Sequence, residues 1–276
     1  MKIINFILFS NLFIVLCALC MSSYTANILN IKLSLMYYGF VATATWSSYS
    51  LHWFLSQRTD IQTVRAKWTI QNTRLLWYLF IINSVLNLYF SYHFIAYYYA
   101  ILPLAFLTFI YTAPKIPHPI FKRLKSYAFA KTFYLAAIWT AVTVILPIVV
   151  SEKSWSPLFI AFMLNRFFLI YAICTIFDLR DKNEDANSGI KNLITYFSVS
   201  QIRYIIYFYI LCFTITIFSL YQLQVPNFQL FYMAWPAFFL LATLHKSLTS
   251  TSDYWFYGVV DGLMMASAIQ WHYTFA

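Results

Sequence analysis

Apolar residues run along this chain in long uncharged stretches, 3–31, 33–57, 75–114, 132–151 and 204–245, and the charges sit almost entirely between them. A helix needs about 20 predominantly apolar residues to cross the hydrocarbon layer of a bilayer. The two longest runs are therefore each two helices joined by a tight turn, at Ser91-Tyr92-His93 and at Val225-Pro226-Asn227. The pattern predicts nine spans, near 4–22, 30–52, 75–91, 94–112, 128–150, 155–177, 203–222, 228–245 and 254–274. The expected fold class is all-α: a polytopic membrane protein, one membrane-embedded domain over 1–276 built as a nine-helix transmembrane bundle.

The spans group into two similar halves, 1–112 and 127–245, with a ninth helix added. In each half the second span leads into a long connector, 53–74 and 178–202, and only the later one is rich in acid. Lys and Arg set the orientation, because loops that carry them stay in the cytoplasm. Lys2, the connector with Arg58, Arg65, Lys67 and Arg74, the connector with Lys115, Lys122, Arg123 and Lys125, the 178–203 connector and Lys246 fall on one side; Lys32 and Lys153 fall on the other. This asymmetry predicts a multi-pass protein of the cell (inner) membrane, N-terminus cytoplasmic and C-terminus outside.

Composition agrees: 62% of the 276 residues are hydrophobic and 9% charged, against about 25% charged in soluble domains. The net charge of +10 is mostly the topology signal, since the basic residues flank spans, so nucleic acid is not an expected partner. The first apolar run is long for a signal peptide and has no small-x-small site before Tyr24, so it reads as a retained span. Cys17, Cys20, Cys174 and Cys212 all lie inside spans and read as packing residues. Aromatic residues make up 22% of the chain. Interfacial belts and ordinary bundle packing account for much of this, and an aromatic interior also suits an isoprenoid chain and a cation formed on it.

Candidate chemistry concentrates at one place. Asp178, Asp181, Glu184 and Asp185, half of the eight acidic residues, follow directly on the sixth span. At about 100° per residue, Asp178, Asp181 and Asp185 fall within about 60° of one helical face. Two readings stand open: a solvated helix end laced by Asp178/Lys182 and Arg180/Glu184 pairs, or a divalent cation site relieving the stacked charges, with Mg²⁺ completing its shell on water and phosphate. Three further charges lie inside spans, where each costs about 2.5–3.5 kcal/mol. Arg166 is at mid-span, Lys131 a turn into the fifth helix and Asp261 two turns into the ninth. Lys131 and Arg166 predict a polar cavity; Asp261 is open between that and simple pairing.

The pattern DxxDxxxDxxxGxK from Asp178 to Lys191, after the sixth of nine spans, resembles the second aspartate-rich motif of the UbiA superfamily of intramembrane prenyltransferases. Arg166 to Asp178, Lys131 to Trp139 and Asp253-Tyr-Trp-Phe-Tyr-Gly258-Val-Val-Asp261-Gly262 extend the likeness over nearly the full length. The resemblance implies Mg²⁺ as cofactor, Asp178, Asp181 and Asp185 as metal ligands in the catalytic site, and Lys131, Arg166 and Lys191 as contacts of a prenyl diphosphate. It implies as partners that diphosphate, a lipid-soluble acceptor, aromatic or other, and membrane lipids. One departure matters: the first acidic motif, expected after the second span, is replaced by Ser47-Ser48-Tyr49-Ser50-Leu51-His52-Trp53-Phe54, with Asp60 the nearest carboxylate. Asn192 also stands where Thr often follows the Lys. The reading from another class is a non-catalytic protein that binds an isoprenoid lipid or scaffolds a complex. A transporter ranks behind both, because polar midplane groups are scarce.

Overall fold

The computed structural model describes residues 2–56, 63–116, 118, 121, 131–187 and 193–266, with backbone alone for 183–187, 193 and 195. The described residues form helices and no strand. In chain order these are α1 (Lys2–Phe9), α2 (Leu12–Ile28), α3 (Leu35–Leu55), α4 (Val64–Gln71), α5 (Thr73–Tyr92) and α6 (Tyr98–Thr112). Then come α7 (Lys131–Val150), α8 (Pro157–Asn187), α9 (Val199–Gln222), α10 (Asn227–Thr249) and α11, which is π-helical over Trp255–Val260 and α-helical over Asp261–Ala266.

Among the described residues six helices, α5 to α10, are long and apolar enough to cross a membrane. The α1–α2 pair, bent by 55°, makes a seventh if taken as one broken span. This is a multi-pass membrane protein with fewer regular apolar spans than the nine expected. The shortfall has a physical cause at α3, which has the length, 21 residues, but dilutes its apolarity with Ser, Thr and His residues. The end of the expected ninth span, 267–274, lies outside the described residues.

The expected first span, 4–22, is corrected by the structure: it breaks at Ser10-Asn11 and resumes to Ile28. Asn11 takes a left-handed φ of 72°, a conformation that Asn tolerates better than most residues. Groups exposed by the break find partners. Trp46 Nε1 donates to the Ser10 carbonyl at 2.8 Å, and the Arg65 guanidinium donates to the Leu8 carbonyl at 3.1 Å and to Asn11 Oδ1 at 2.6 Å.

The long helix α8 is the axis of the bundle, with Ile170, Ile173 and Ile176 fully buried. On one side Asn165 Nδ2 donates to Thr216 Oγ1 of α9 at 3.0 Å. On the other, α7 carries a π-helical stretch over Ala141–Ile145, a geometry that loosens the helical ladder and leaves carbonyls to outside donors. Tyr37 Oη donates to the Val142 carbonyl and Thr25 Oγ1 to the Thr143 carbonyl, both at 2.7 Å, which ties α2 and α3 to α7. Outward faces are apolar and exposed, as at Val85, Leu88, Phe106, Phe218, Phe231 and Phe238. In a bilayer these are the lipid contacts. Gly39 on α3 lets α5 approach closely, since a Cβ there would stand 2.5 Å from the Phe90 ring.

Candidate active site

The polar face of α3, the ends of α6 and α7, the last turns of the apolar part of α8 and the start of α11 enclose a cavity of about 840 Å³. Its apolar walls combine aliphatic side chains with the rings of Tyr49, Trp53, Tyr111, Trp139, Phe177 and Tyr257. Trp139 Nε1 donates to Tyr49 Oη at 3.1 Å, so the indole and phenol hold each other within the wall.

At one end of the cavity α8 presents Asp178 and Asp181. Asp178 is only 5% exposed. It accepts a hydrogen bond from Thr132 Oγ1 and lies 3.7 Å from Lys131 Nζ, both from the first turn of α7. Asp181 is held in a fork by its neighbour: Arg180 Nε donates at 2.7 Å and a terminal nitrogen at 3.3 Å. The same guanidinium donates to Tyr257 Oη at 3.1 Å and lies 4.8–5.2 Å from the Phe177, Phe256 and Tyr257 ring centres. Of the pairs that spacing alone offered, Asp178/Lys182 is therefore corrected, and Arg180/Glu184 falls on a Glu184 side chain outside the described residues. Asp178 meets Lys131, Arg180 meets Asp181, and Lys182 Nζ donates to the Phe197 carbonyl.

The facing wall is different in kind. Lys115, closing the short turn Ala113–Lys115 after α6, places its ammonium 2.7 Å from His52 Nε2 and in hydrogen-bond contact with Ser56 Oγ. The His52 ring stacks on Tyr111 with centroids 5.3 Å apart. Asp261, 8% exposed, also lines the cavity. Asp253 accepts from the Arg65 backbone N–H at 2.7 Å, and the Arg65 guanidinium lies 3.9 Å from Trp53 and 4.5 Å from Tyr257. Burial pushes Arg65 down to about 10, so it stays charged at neutral pH.

The structure thus brings Asp178, Asp181 and Lys131 together. It does not bring Arg166 to them: Arg166 is 1% exposed and packs between Tyr24 and Phe162, 4.7 and 4.9 Å from their rings, in a second apolar cluster. Lys191 lies outside the described residues, as do Asp60 and Asn192, and of Asp185 only the helical backbone is described. Lys115, Arg180 and Tyr257 join the site without having been singled out in the sequence. Lys115 counted there only as a topology charge, and Arg180 only as a partner of Glu184.

The described donor set suits one divalent ion at most. No group of three His, Cys, Asp or Glu side chains comes together among the described residues. Asp178 and Asp181 are two carboxylates, enough for a Mg²⁺ that keeps water and takes further oxygens from a phosphate. The α3 face opposite adds no carboxylate among the described residues.

No family model and no curated protein matches the chain. Solved structures do. A UbiA homolog from Archaeoglobus fulgidus superposes with a TM-score of 0.66 at 13% identity, over 96% of this chain and 98% of that one. A UbiA homolog from the same organism bound to DMAPP and Mg²⁺ gives 0.63 at 14% identity, and one bound to Cd²⁺ gives 0.60 at 13%, with the same coverage. At such identities the likeness is one of fold. The expected architecture, an all-α membrane bundle of UbiA type, is the observed one.

Proposed function

We propose that this protein is a prenyltransferase of UbiA type, which moves the prenyl group of a prenyl diphosphate onto a lipid-soluble acceptor, aromatic or other, at the cytoplasmic face of the cell membrane. The observation that carries the reading is the cavity itself: a wall of aromatic rings inside a membrane bundle, closed at one end by Asp178, Asp181, Lys131 and Arg180. Support for the ligand comes from the Archaeoglobus fulgidus homolog of the same fold that binds DMAPP and Mg²⁺.

In this reading Asp178, Asp181 and Asp185 hold Mg²⁺ together with the diphosphate, and Lys191 adds a cation to the phosphate oxygens. The ion, when bound, draws off charge from the departing diphosphate. The protein does the rest. Lys131, anchored on Asp178, sets a fixed positive charge beside the leaving oxygens, where it stabilises charge that develops as the C–O bond breaks. The electron pair leaves with the diphosphate. Tyr49, Tyr111, Trp139 and Phe177 surround the prenyl chain, exclude water and present ring faces to the allylic cation. The acceptor then bonds to that carbon and loses a proton. Arg166, apart from the cavity, has no part in it.

The test uses purified protein in detergent with DMAPP, Mg²⁺ and a panel of phenolic acceptors, following pyrophosphate release and prenylated product by mass spectrometry. Turnover by the parent, lost in Asp181→Asn/Asp185→Asn, is the expected result. One observation favours a second reading: Asp178 and Asp181 already have cationic partners, and the α3 face opposite adds no carboxylate among the described residues. If the ligands stabilise the protein but no acceptor is ever prenylated, the chain is a non-catalytic isoprenoid-binding protein. Without stabilisation by DMAPP in any condition, both readings fall.

A further inference from the structure

Of the three charges that the sequence puts inside spans, Lys131 meets Asp178 and Arg166 meets two aromatic rings. Asp261 is different. Its backbone carbonyl accepts from Cys17 Sγ at 3.6 Å, but among the described residues no hydrogen bond or ion pair reaches its carboxylate. Yet the residue is 8% exposed and lines the cavity. Burying a carboxylate away from donors is costly, and a ligand that brings a donor offsets that cost. The position within the cavity is also informative. Helix α11 enters the bundle beside the acidic end, where Tyr257 accepts from Arg180 and packs on Phe177. Asp261 follows about one turn later, and its charge reaches Cys174, one turn before Asp178 on α8. The carboxylate thus stands about one helical turn beyond the acidic end, within electrostatic reach of Tyr49, which Trp139 holds in the wall.

We propose that Asp261 recognises the acceptor by accepting a hydrogen bond from a neutral hydroxyl group, and that it selects phenols over aromatic acids. The inference rests on the proposed function and narrows the acceptor class of that same site. A hydroxyl is the donor that suits these surroundings. A cationic amine would meet the fields of Arg65 and Arg180, which already act on Asp261. A carboxylate would set a second negative group beside the first, where each disfavours the ionised form of the other. A phenol brings an O–H donor on an apolar ring, and the rings of Tyr49 and Trp139 offer that ring edge-to-face or stacked contact. With its hydroxyl on Asp261, the acceptor lies about one turn from the diphosphate end, in the same cavity as the prenyl group.

The full-length protein in detergent is dialysed to equilibrium at neutral pH against three probes of similar shape, 2-naphthol, 2-methoxynaphthalene and 2-naphthoate, with a detergent-only blank. The parent is expected to bind 2-naphthol about tenfold more tightly than the ether, which lacks the donor, as for one hydrogen bond to a charged group. It should bind 2-naphthoate more weakly than either. Asp261→Asn keeps the shape but removes the charge and adds N–H donors, so it should cut the preference for 2-naphthol over 2-naphthoate by about tenfold or more. Glu152→Gln, which removes an exposed carboxylate outside the cavity, should match the parent. If Asp261→Asn fails to fold, the comparison of 2-naphthol with the ether in the parent decides alone. A parent that binds the ether as well as 2-naphthol overturns the inference, as does a parent that binds none of the three. So does an Asp261→Asn protein with the parent's ratio of naphthol to naphthoate affinity. Thermal stabilisation by DMAPP and Mg²⁺, measured on the same preparations, reports on the proposed function separately. If it persists while the phenol preference is absent, the prenyltransferase reading stands and the role of Asp261 falls. If it is absent while the preference holds, Asp261 remains a phenol site and the prenyltransferase reading falls.

Discussion

Replacing Arg180 by Met isolates what the guanidinium does to Asp181. In the parent two nitrogens at 2.7 and 3.3 Å occupy both carboxylate oxygens, and the planar group is wedged among Phe177, Phe256 and Tyr257. Removing one partner of a buried ion pair costs about 3–5 kcal/mol. The Asp181 side chain is 32% exposed, so water relieves part of that, and the expected loss is about 2 kcal/mol. For a chain of this size that is about 4 °C in Tm. The companion variant Arg180→Met/Asp181→Leu should regain most of it, because a well-packed apolar pair is often as stable as the ion pair it replaces.

The informative readout is the response to Mg²⁺ alone. In the parent an ion must displace the Arg180 fork before it can use Asp181; in Arg180→Met the carboxylate is rid of that fork and stays beside Asp178. With an ion at about ten times its Kd, linkage adds about 1.4 kcal/mol, so Mg²⁺ should return about 3 °C of the lost Tm while moving the parent by less than about 1 °C. Differential scanning fluorimetry on the detergent-solubilised proteins, with Ca²⁺ and high NaCl as controls, measures it. Equal Mg²⁺ shifts in parent and variant would refute the idea that Arg180 and a cation compete for Asp181.

Gly39→Ala should cost about 1–3 kcal/mol, read as a lower Tm, because its Cβ would stand 2.5 Å from the Phe90 ring; Gly39→Ala/Phe90→Leu should recover much of the loss. Lys131→Met strands Asp178 in a buried position, so both Tm and prenyl transfer should fall, the transfer rate by at least about tenfold; an unchanged rate would remove Lys131 from the site. Arg65→Met loses the bonds to the Leu8 carbonyl and to Asn11 and should loosen the break between α1 and α2, seen as faster deuterium uptake over 8–14. For topology, single cysteines at Ser188 and Lys32 in a background without the four native ones should label from opposite sides of the membrane, and labelling of both from one side would refute the predicted topology.

The parts of the fold that follow from hydrophobic runs were legible in the chain: turns stand close to 91–93 and 225–227, where the apolar runs had to fold back, and Asp178 and Asp181 do line one end of a cavity. The failures share one cause, that a run of apolar residues says how long a helix is but not where its rare polar groups point. Arg166 and Lys131 carried the same argument, since a charge inside a span must avoid lipid. Lys131 met Asp178, whereas Arg166 found aromatic faces in another cluster. The distinction was in fact available. Arg166 lies 12 residues before Asp178 on one continuous helix, which places it about 18 Å deeper and about 120° around the axis. Two side chains so separated cannot share a diphosphate.

Lys115 failed in the opposite direction, through an explanation that came too easily. A lysine just past an apolar span is what positive-inside topology predicts, so nothing about it asked for a second role. What sets it apart is Pro114 beside it and the pair His52 and Ser56, four residues apart on α3 and therefore on one helical face. That face offers acceptors and no carboxylate. Ser and His side chains both donate and accept, so such a face can take a cation as a partner without holding a charge of its own. In this bundle a side chain takes that place, with Lys115 Nζ 2.7 Å from His52 Nε2 and in contact with Ser56 Oγ.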